Sequence, residues 1–284
     1  MEQRIVDLHV HSTASDGTCT PSELVFLAKD AGLSAFALTD HDTTLGVAEA
    51  SAIACQAGIE LIPGIELSTA YGEKEIHIVG LYINPDNELL IQKTKEFREC
   101  RDNRNEKMLE ALRQEGFSIT MEALRAENPD SVITRANIAR FLFNHGCIKS
   151  VQEAFEKYIG DGCRCYVGRF KITPMEAVSL IHQSGGVAIL AHPLLYHMSS
   201  VRLQALIDDL TAVGLDGIEA IYSTYTVGEE QLVKKIATQN HLLISGGSDF
   251  HGSNKPSIHL GKGRGHLYIP YSVLSDIRER AERY

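Results

Sequence analysis

Short apolar runs alternate with amphipathic stretches along most of the chain. Residues 4–11 form the first run, with Ile5, Val6, Leu8 and Val10 as a buried strand, before a polar turn over 12–17. Residues 21–31 then carry a helical pattern, with Thr20 placed as N-cap, Pro21 in the first turn and Gly32 past the end. A second strand is predicted over 34–39, a helix over 44–57 closed by Gly58, and a third strand over 59–67. This repetition argues for parallel strands flanked by helices. After a tight turn over 71–74, residues 75–83 alternate as a further strand.

The grain then changes. Residues 87–115 predict a long, highly charged helix, followed by shorter helices over 122–127, 135–145 and 151–158. The β/α pattern resumes with helices over 175–183, 201–213 and 228–239 and strands over 187–191, 217–221 and 242–245. A short strand over 265–269 and a helix over 273–283 end it. The expected organisation is an α/β barrel-like domain built from 1–85 and 169–284, with a helical subdomain inserted over 86–168.

Composition adds few constraints. The 284 residues are 44% hydrophobic and 23% charged, ordinary values for a globular domain. No stretch of about 18 apolar residues is present, and residues 1–6 lack the basic-then-apolar pattern of a secretion signal, so a cytoplasmic location without membrane partners is expected. The six cysteines form no C-x-x-C pair and read as reduced thiols. A net charge of −10 argues against a broad nucleic-acid or membrane binder. Yet residues 93–171 hold 15 Lys/Arg against 12 Asp/Glu, so cations of the insertion are available to an anionic substrate.

Nine residues of metal-ligand type fall at the ends of the apolar runs: His9, His11, Asp16, His41, Glu66, His77, His192, Asp249 and His251. Residues i and i+2 of a strand share a face, so His9 and His11 aim together, as do Asp249 and His251 if that segment stays extended. Each has an ordinary explanation taken singly. Asp16 suits a turn, His77 a satisfied core histidine, and Glu66 a buried ion pair. Their joint placement points instead to metal. One ion rarely takes more than about four protein ligands, so nine imply two or three divalent ions.

The strings Asp7-Leu8-His9-Val10-His11-Ser12, Ser15-Asp16-Gly17, Thr39-Asp40-His41-Asp42, Gly64-Ile65-Glu66, His77-Ile78-Val79-Gly80, Ala191-His192-Pro193 and Gly247-Ser248-Asp249-Phe250-His251 resemble, in order, the motifs of the PHP (polymerase and histidinol phosphatase) family. The resemblance implies a distorted (β/α)7 barrel whose helical insertion covers the active site, and a trinuclear centre of manganese, zinc or iron. His9, His11, Glu66 and Asp249 would hold the first ion. Glu66 would bridge to a second, completed by His77 and His192, and Asp16, His41 and His251 would hold the third. In similar proteins an arginine at the position of Arg135 contacts the substrate phosphate.

Clustered hard ions lower the pKa of a bridging water and neutralise phosphate charge. The expected activity is therefore hydrolysis of a phosphate ester by a metal-bridging hydroxide, with Asp249, His251 and Glu66 acting through it. Arg135, Lys157, Arg169 and His197 are the candidate substrate contacts, and Asp42 or His197 the candidate proton donors. The resemblance favours a 3′,5′-nucleotide bisphosphate phosphatase. A cyclic phosphate dihydrolase, a histidinol phosphatase and an exonuclease trimming RNA 5′ ends are alternatives. Outside this class stand a C–N amidohydrolase, which commonly uses a bridging carboxylated lysine where Glu66 stands here, and a non-catalytic metal-binding module. The sequence leaves the oligomeric state open.

Overall fold

The apolar runs pair into one sheet. The computed structural model describes residues 4–129, 132–168 and 172–284. Seven strands, β1 (Val6–Val10), β2 (Ala35–Leu38), β3 (Glu60–Tyr71), β4 (Lys74–Leu81), β5 (Val187–Leu190), β6 (Gly217–Tyr222) and β7 (Leu243–Gly247), lie side by side in chain order. The sheet curls nearly closed into a barrel. His11 N–H donates to Phe250 O at 3.0 Å, and Asp249 N–H to His9 O at 2.8 Å, joining β1 to the segment after β7. Gly247 makes that approach possible, since a Cβ there would stand 2.1 Å from His9 Cβ.

One strand departs from the expected parallel arrangement. β4 runs antiparallel to both β3 and β5, because the tight turn after Tyr71 leaves no room for a crossover helix. Val6, Leu8, Ile62, Leu81 and Ile189 fill the barrel, and Leu274 and Ile277 plug its base. Each fully buried aliphatic side chain of this kind contributes roughly 1.5–3 kcal/mol.

Around the barrel run α1 (Pro21–Asp30), α2 (Val47–Ala57), α7 (Pro174–Gln183), α8 (Ser200–Ala212) and α9 (Val227–Gln239), while α10 (Tyr271–Ala281) closes its base. α1 begins with a capping box between Thr20 and Glu23. α2 starts at Val47, later than expected, because Val47 N–H closes a turn onto Thr44 O. The strand predicted over 265–269 does not form. That segment follows a run of turns and touches β1 through Val6 N–H to Ile269 O and an Ile5–Pro270 bridge, with Ile269 buried in the basal plug.

Between β4 and β5 lie α3 (Glu88–Gln114), α4 (Met121–Glu127), α5 (Arg135–Asn144) and α6 (Val151–Ala154), the last continued by a π-helical turn, Phe155–Ile159. They pack around their own apolar cluster, including Leu112, Leu124, Ile138, Phe141 and Leu142. Among the described residues no helix is long and apolar enough to cross a membrane.

Candidate metal centre

Strand alternation turns His9 and His11 to one side of β1, both buried at the mouth of the barrel. β3 outruns β2 beyond Pro63 and continues as a hairpin with β4, so Glu66 and His77 lie within strands rather than at their ends. His41 follows β2 and bridges Glu66. Asp249 and His251 do not sit on an extended segment. Asp249 has φ of +56°, and this left-handed residue, rather than alternation, brings both side chains back to the mouth. His192, after β5, has φ of +25°. Such sparsely populated backbone costs of order 1–3 kcal/mol per residue and needs fixed surroundings. Asp16 lies in a loop folded onto His11, where Gly17 is required because a Cβ would meet His11 O at 2.3 Å.

The Glu66 carboxylate divides the cluster. Its Oε1 lies 2.9 Å from His77 Nδ1 and 3.1 Å from His192 Nε2. Its Oε2 lies 3.3 Å from Nε2 of both His9 and His11 and 3.0 Å from His41 Nδ1. Asp249 Oδ1 faces His11 Nε2 at 3.4 Å and His9 Nε2 at 3.8 Å. Asp16 Oδ1 is 3.2 Å from His251 Nε2. Potential ligand atoms accordingly gather into four overlapping groups: His11, Asp16, His41 and His251; His9, His11 and Asp249; His9, Glu66 and His192; and His41, Glu66 and His77. All nine residues singled out in the sequence appear among them.

Cations fit this donor set. His9 Nε2, both ring nitrogens of His11, Asp16 Oδ1, His41 Nδ1 and Glu66 Oε2 are buried and make no hydrogen bond. Burying polar atoms in that state is costly unless a bound ion takes them up.

Burial and neighbouring charge compete at these groups. Burial opposes charging of His11, but the Asp249 and Glu66 carboxylates outweigh it and push its pKa up to about 9. His77 likewise rises to about 9, burial being overcome by Glu66 and Glu75. His251 falls to about 4, through burial and the nearby Lys255 ammonium. Burial alone would raise Glu66, but His41 and His77 hold it well below the usual carboxylate range.

A cleft of about 340 Å³ opens above the cluster, walled on one side by Asp16, His41, His77 and His192 and on the other by Arg101, Arg104 and Arg135. Arg135 donates to Asp161 at 2.7 Å and to Glu75 at 3.3 Å. The amides of Ala136 and Asn137 at the start of α5 are taken by Thr134 Oγ1, so an anion there meets the guanidinium rather than free helix amides. Two of the other substrate candidates lie away from the cleft. Lys157 is exposed and paired with Glu153 at 2.8 Å. His197 is exposed and does not line the cleft. Arg169 lies outside the described residues. Asp42 is no spare proton donor, because it is buried, ion-paired with Arg101 and accepts Ser68 N–H at 2.9 Å.

Several residues of the site were not singled out in the sequence. Glu219 accepts from His9 Nδ1 at 3.1 Å, and Tyr222 and Lys255 each donate to Asp249 Oδ2 at 2.5 Å, leaving Oδ1 toward the histidines. Glu75 stands 3.4 Å from His77 Nε2. Arg101 and Arg104 come from the charged helix α3.

Comparison with known proteins agrees with this geometry. The model of the PHP domain matches residues 7–168. A 5′-3′ exoribonuclease of Haemophilus influenzae is 39% identical over 248 residues, covering 86% of this chain and 89% of that protein. A 3′,5′-nucleoside bisphosphate phosphatase of Chromobacterium violaceum is 37% identical, covering 87% of each. A solved structure from Bifidobacterium adolescentis, described as a metal-dependent phosphoesterase, superposes with a TM-score of 0.86 at 30% identity, covering 98% of this chain and 96% of that one.

Proposed function

Because the chain belongs to the PHP domain family, we propose that its rim cluster holds two or three divalent ions and hydrolyses the 3′-phosphate ester of a nucleoside 3′,5′-bisphosphate. The protein is a metal-dependent phosphoesterase of that family. The observation that carries the substrate assignment is the cleft itself. One side is the Glu66-centred ligand set, and Arg101, Arg104 and Arg135 also line the cleft, so a second phosphate can be met by a guanidinium once Arg135 gives up Glu75 or Asp161. Its volume of about 340 Å³ suits one nucleotide.

His9, His11, Asp16, His41, Glu66, His77, His192, Asp249 and His251 would hold the ions, with Glu66 offering one oxygen to each side. A mixed imidazole and carboxylate set accepts manganese, iron or zinc, and manganese is our first choice. Bound ions would bring a coordinated water toward neutral pKa and offset charge on the phosphate's non-bridging oxygens. Tyr222 and Lys255 orient Asp249. Arg135 trades Asp161 or Glu75 for a substrate phosphate, and Arg101 and Arg104 hold positive charge on the same wall. A C–N hydrolase is disfavoured because Glu66, not a lysine, occupies the bridging place.

A second substrate, the 5′-phosphorylated end of RNA, is favoured by the exoribonuclease relative. Its first nucleotide presents the same 5′-phosphate and 3′-ester. The experiment is product release with manganese across adenosine 3′,5′-bisphosphate, a 5′-mononucleotide, a cyclic phosphate, histidinol phosphate and a short 5′-phosphorylated RNA. The highest kcat/KM is expected with the bisphosphate, yielding the 5′-mononucleotide and phosphate. A higher value with RNA would favour the second substrate, and no hydrolysis of any of them would refute both.

A further inference from the structure

Glu219 faces the ligand cluster yet contributes no atom to any of the four groups of potential ligands. It sits in β6 between Ile218 and Ala220 and is 2% exposed. A carboxylate so placed is costly unless its oxygens are used. Both are used, on two neighbouring candidate ligands that share one group with Glu66. Oε1 lies 3.1 Å from His9 Nδ1, and Oε2 accepts His192 N–H at 2.8 Å.

The two contacts act differently. An ionised carboxylate only accepts, so the ring nitrogen beside it must carry the proton. In a neutral His9 this places hydrogen on Nδ1 and leaves the lone pair on Nε2. Nε2 is the atom 3.3 Å from Glu66 Oε2 and 3.8 Å from Asp249 Oδ1, and it makes no hydrogen bond. The second contact fixes backbone. His192 adopts φ of +25°, and the bond from its N–H to Glu219 holds that conformation while Nε2 reaches Glu66 Oε1 at 3.1 Å. His9 lies on the Oε2 side of Glu66 and His192 on the Oε1 side.

We propose that Glu219 is a positioning residue that sets the tautomer of His9 and the backbone of His192 together, so that one buried carboxylate prepares a ligand on each side of the bridging Glu66. This rests on the rim being a metal cluster. Outer-layer carboxylates of this kind typically govern metal affinity by about 10–100-fold.

The test compares wild type, Glu219→Gln and Glu219→Ala by competition of manganese and zinc against a chromophoric chelator, with thermal unfolding followed alongside. Gln matches Glu in size, and its amide oxygen can still accept His192 N–H. Its NH2 then turns to His9 Nδ1 and favours the tautomer protonated at Nε2, the ligand atom. We expect Glu219→Gln to lose about 10–100-fold in affinity, close to the loss in Glu219→Ala. A role in packing alone leaves Glu219→Gln like wild type, which would overturn the proposal. Should the variants fail to fold, long-range ¹H–¹⁵N spectra of zinc-loaded wild type decide. His9 protonated at Nδ1 supports the assignment, and His9 bound to zinc through Nδ1 overturns it. Wild type that binds no ion would instead refute the metal cluster, a distinguishable failure.

Discussion

The barrel rim and the helical cover both concentrate charge, and they handle it in opposite ways. At the rim, imidazoles and carboxylates crowd together with ring centroids as close as 4.1 Å for His11 and His251, and several atoms able to coordinate a cation have no hydrogen bond. In the cover, two of the three arginines that reach the cleft have anionic partners, Arg101 with Asp42 and Arg135 with Glu75 and Asp161. Unsatisfied donors held rigidly are what a resident cation needs. A paired guanidinium can exchange one anion for another, which is what a transient phosphate needs. On the proposed reading the rim suits binding that stays, and the cover binding that comes and goes.

The contrast breaks first at the rim. His11→Ala and Asp249→Asn each remove a proposed ligand, and phosphate release should drop by about a thousandfold or more, since bound ions supply several kcal/mol to such reactions. Circular dichroism should show the fold retained. Near wild-type turnover in the Asp249 variant would contradict the ligand assignment.

The junction between the regions comes next. Arg101→Ala leaves Asp42 buried without its cation and should cost about 3–5 kcal/mol in denaturant unfolding. A loss below about 1 kcal/mol would mean that the cover is held by its apolar contacts alone.

Acidity sharpens the difference. His11 and His77 rise from the ordinary 6.5 to about 9 in the metal-free protein. Below that value they hold protons that metal must expel, so apparent affinity should climb with pH by up to about a hundredfold per unit and level off above about 9. These raised values stabilise the metal-free fold fully below 6.5, and that contribution is lost as pH rises through about 9. Metal-free protein should therefore lose stability over this window while loaded protein gains it. Parallel trends in calorimetry would contradict the coupling.

The smallest effects belong to the cover. Arg135→Ala should raise KM about tenfold or more with a lesser change in kcat. Lys157→Ala should leave both unchanged, its ammonium being engaged by Glu153 away from the cleft. Steady-state kinetics on both variants would expose a wrong assignment of either side chain.

How much of this was legible in the chain differs between the regions for the same reason. The proposed rim ligands punctuate apolar strands, so His9, His11, Glu66 and His192 stand out against their neighbours. Glu219 carried the same signal, a lone acid among Ile218, Ala220 and Ile221, yet its role needed the third dimension, because its partners lie far away along the chain. The antiparallel course of β4 and the kink at Asp249 depend on tertiary closure. In the cover, charge is ordinary on a helix and hides function. Arg101 and Arg104 were detectable only as members of the buried stripe Leu90, Thr94, Phe97 and Met108, where an arginine interrupts the apolar spacing. Lys157 looked equivalent by charge, and its helix face turns it to solvent.

The most direct measurement is elemental metal content per chain in wild-type protein loaded with manganese and desalted, followed by phosphate release on the same sample. At least two ions per chain with turnover of a phosphate ester is the expected result. Fewer than two ions, with no phosphate released on adding manganese, would contradict a rim cluster built for hydrolysis.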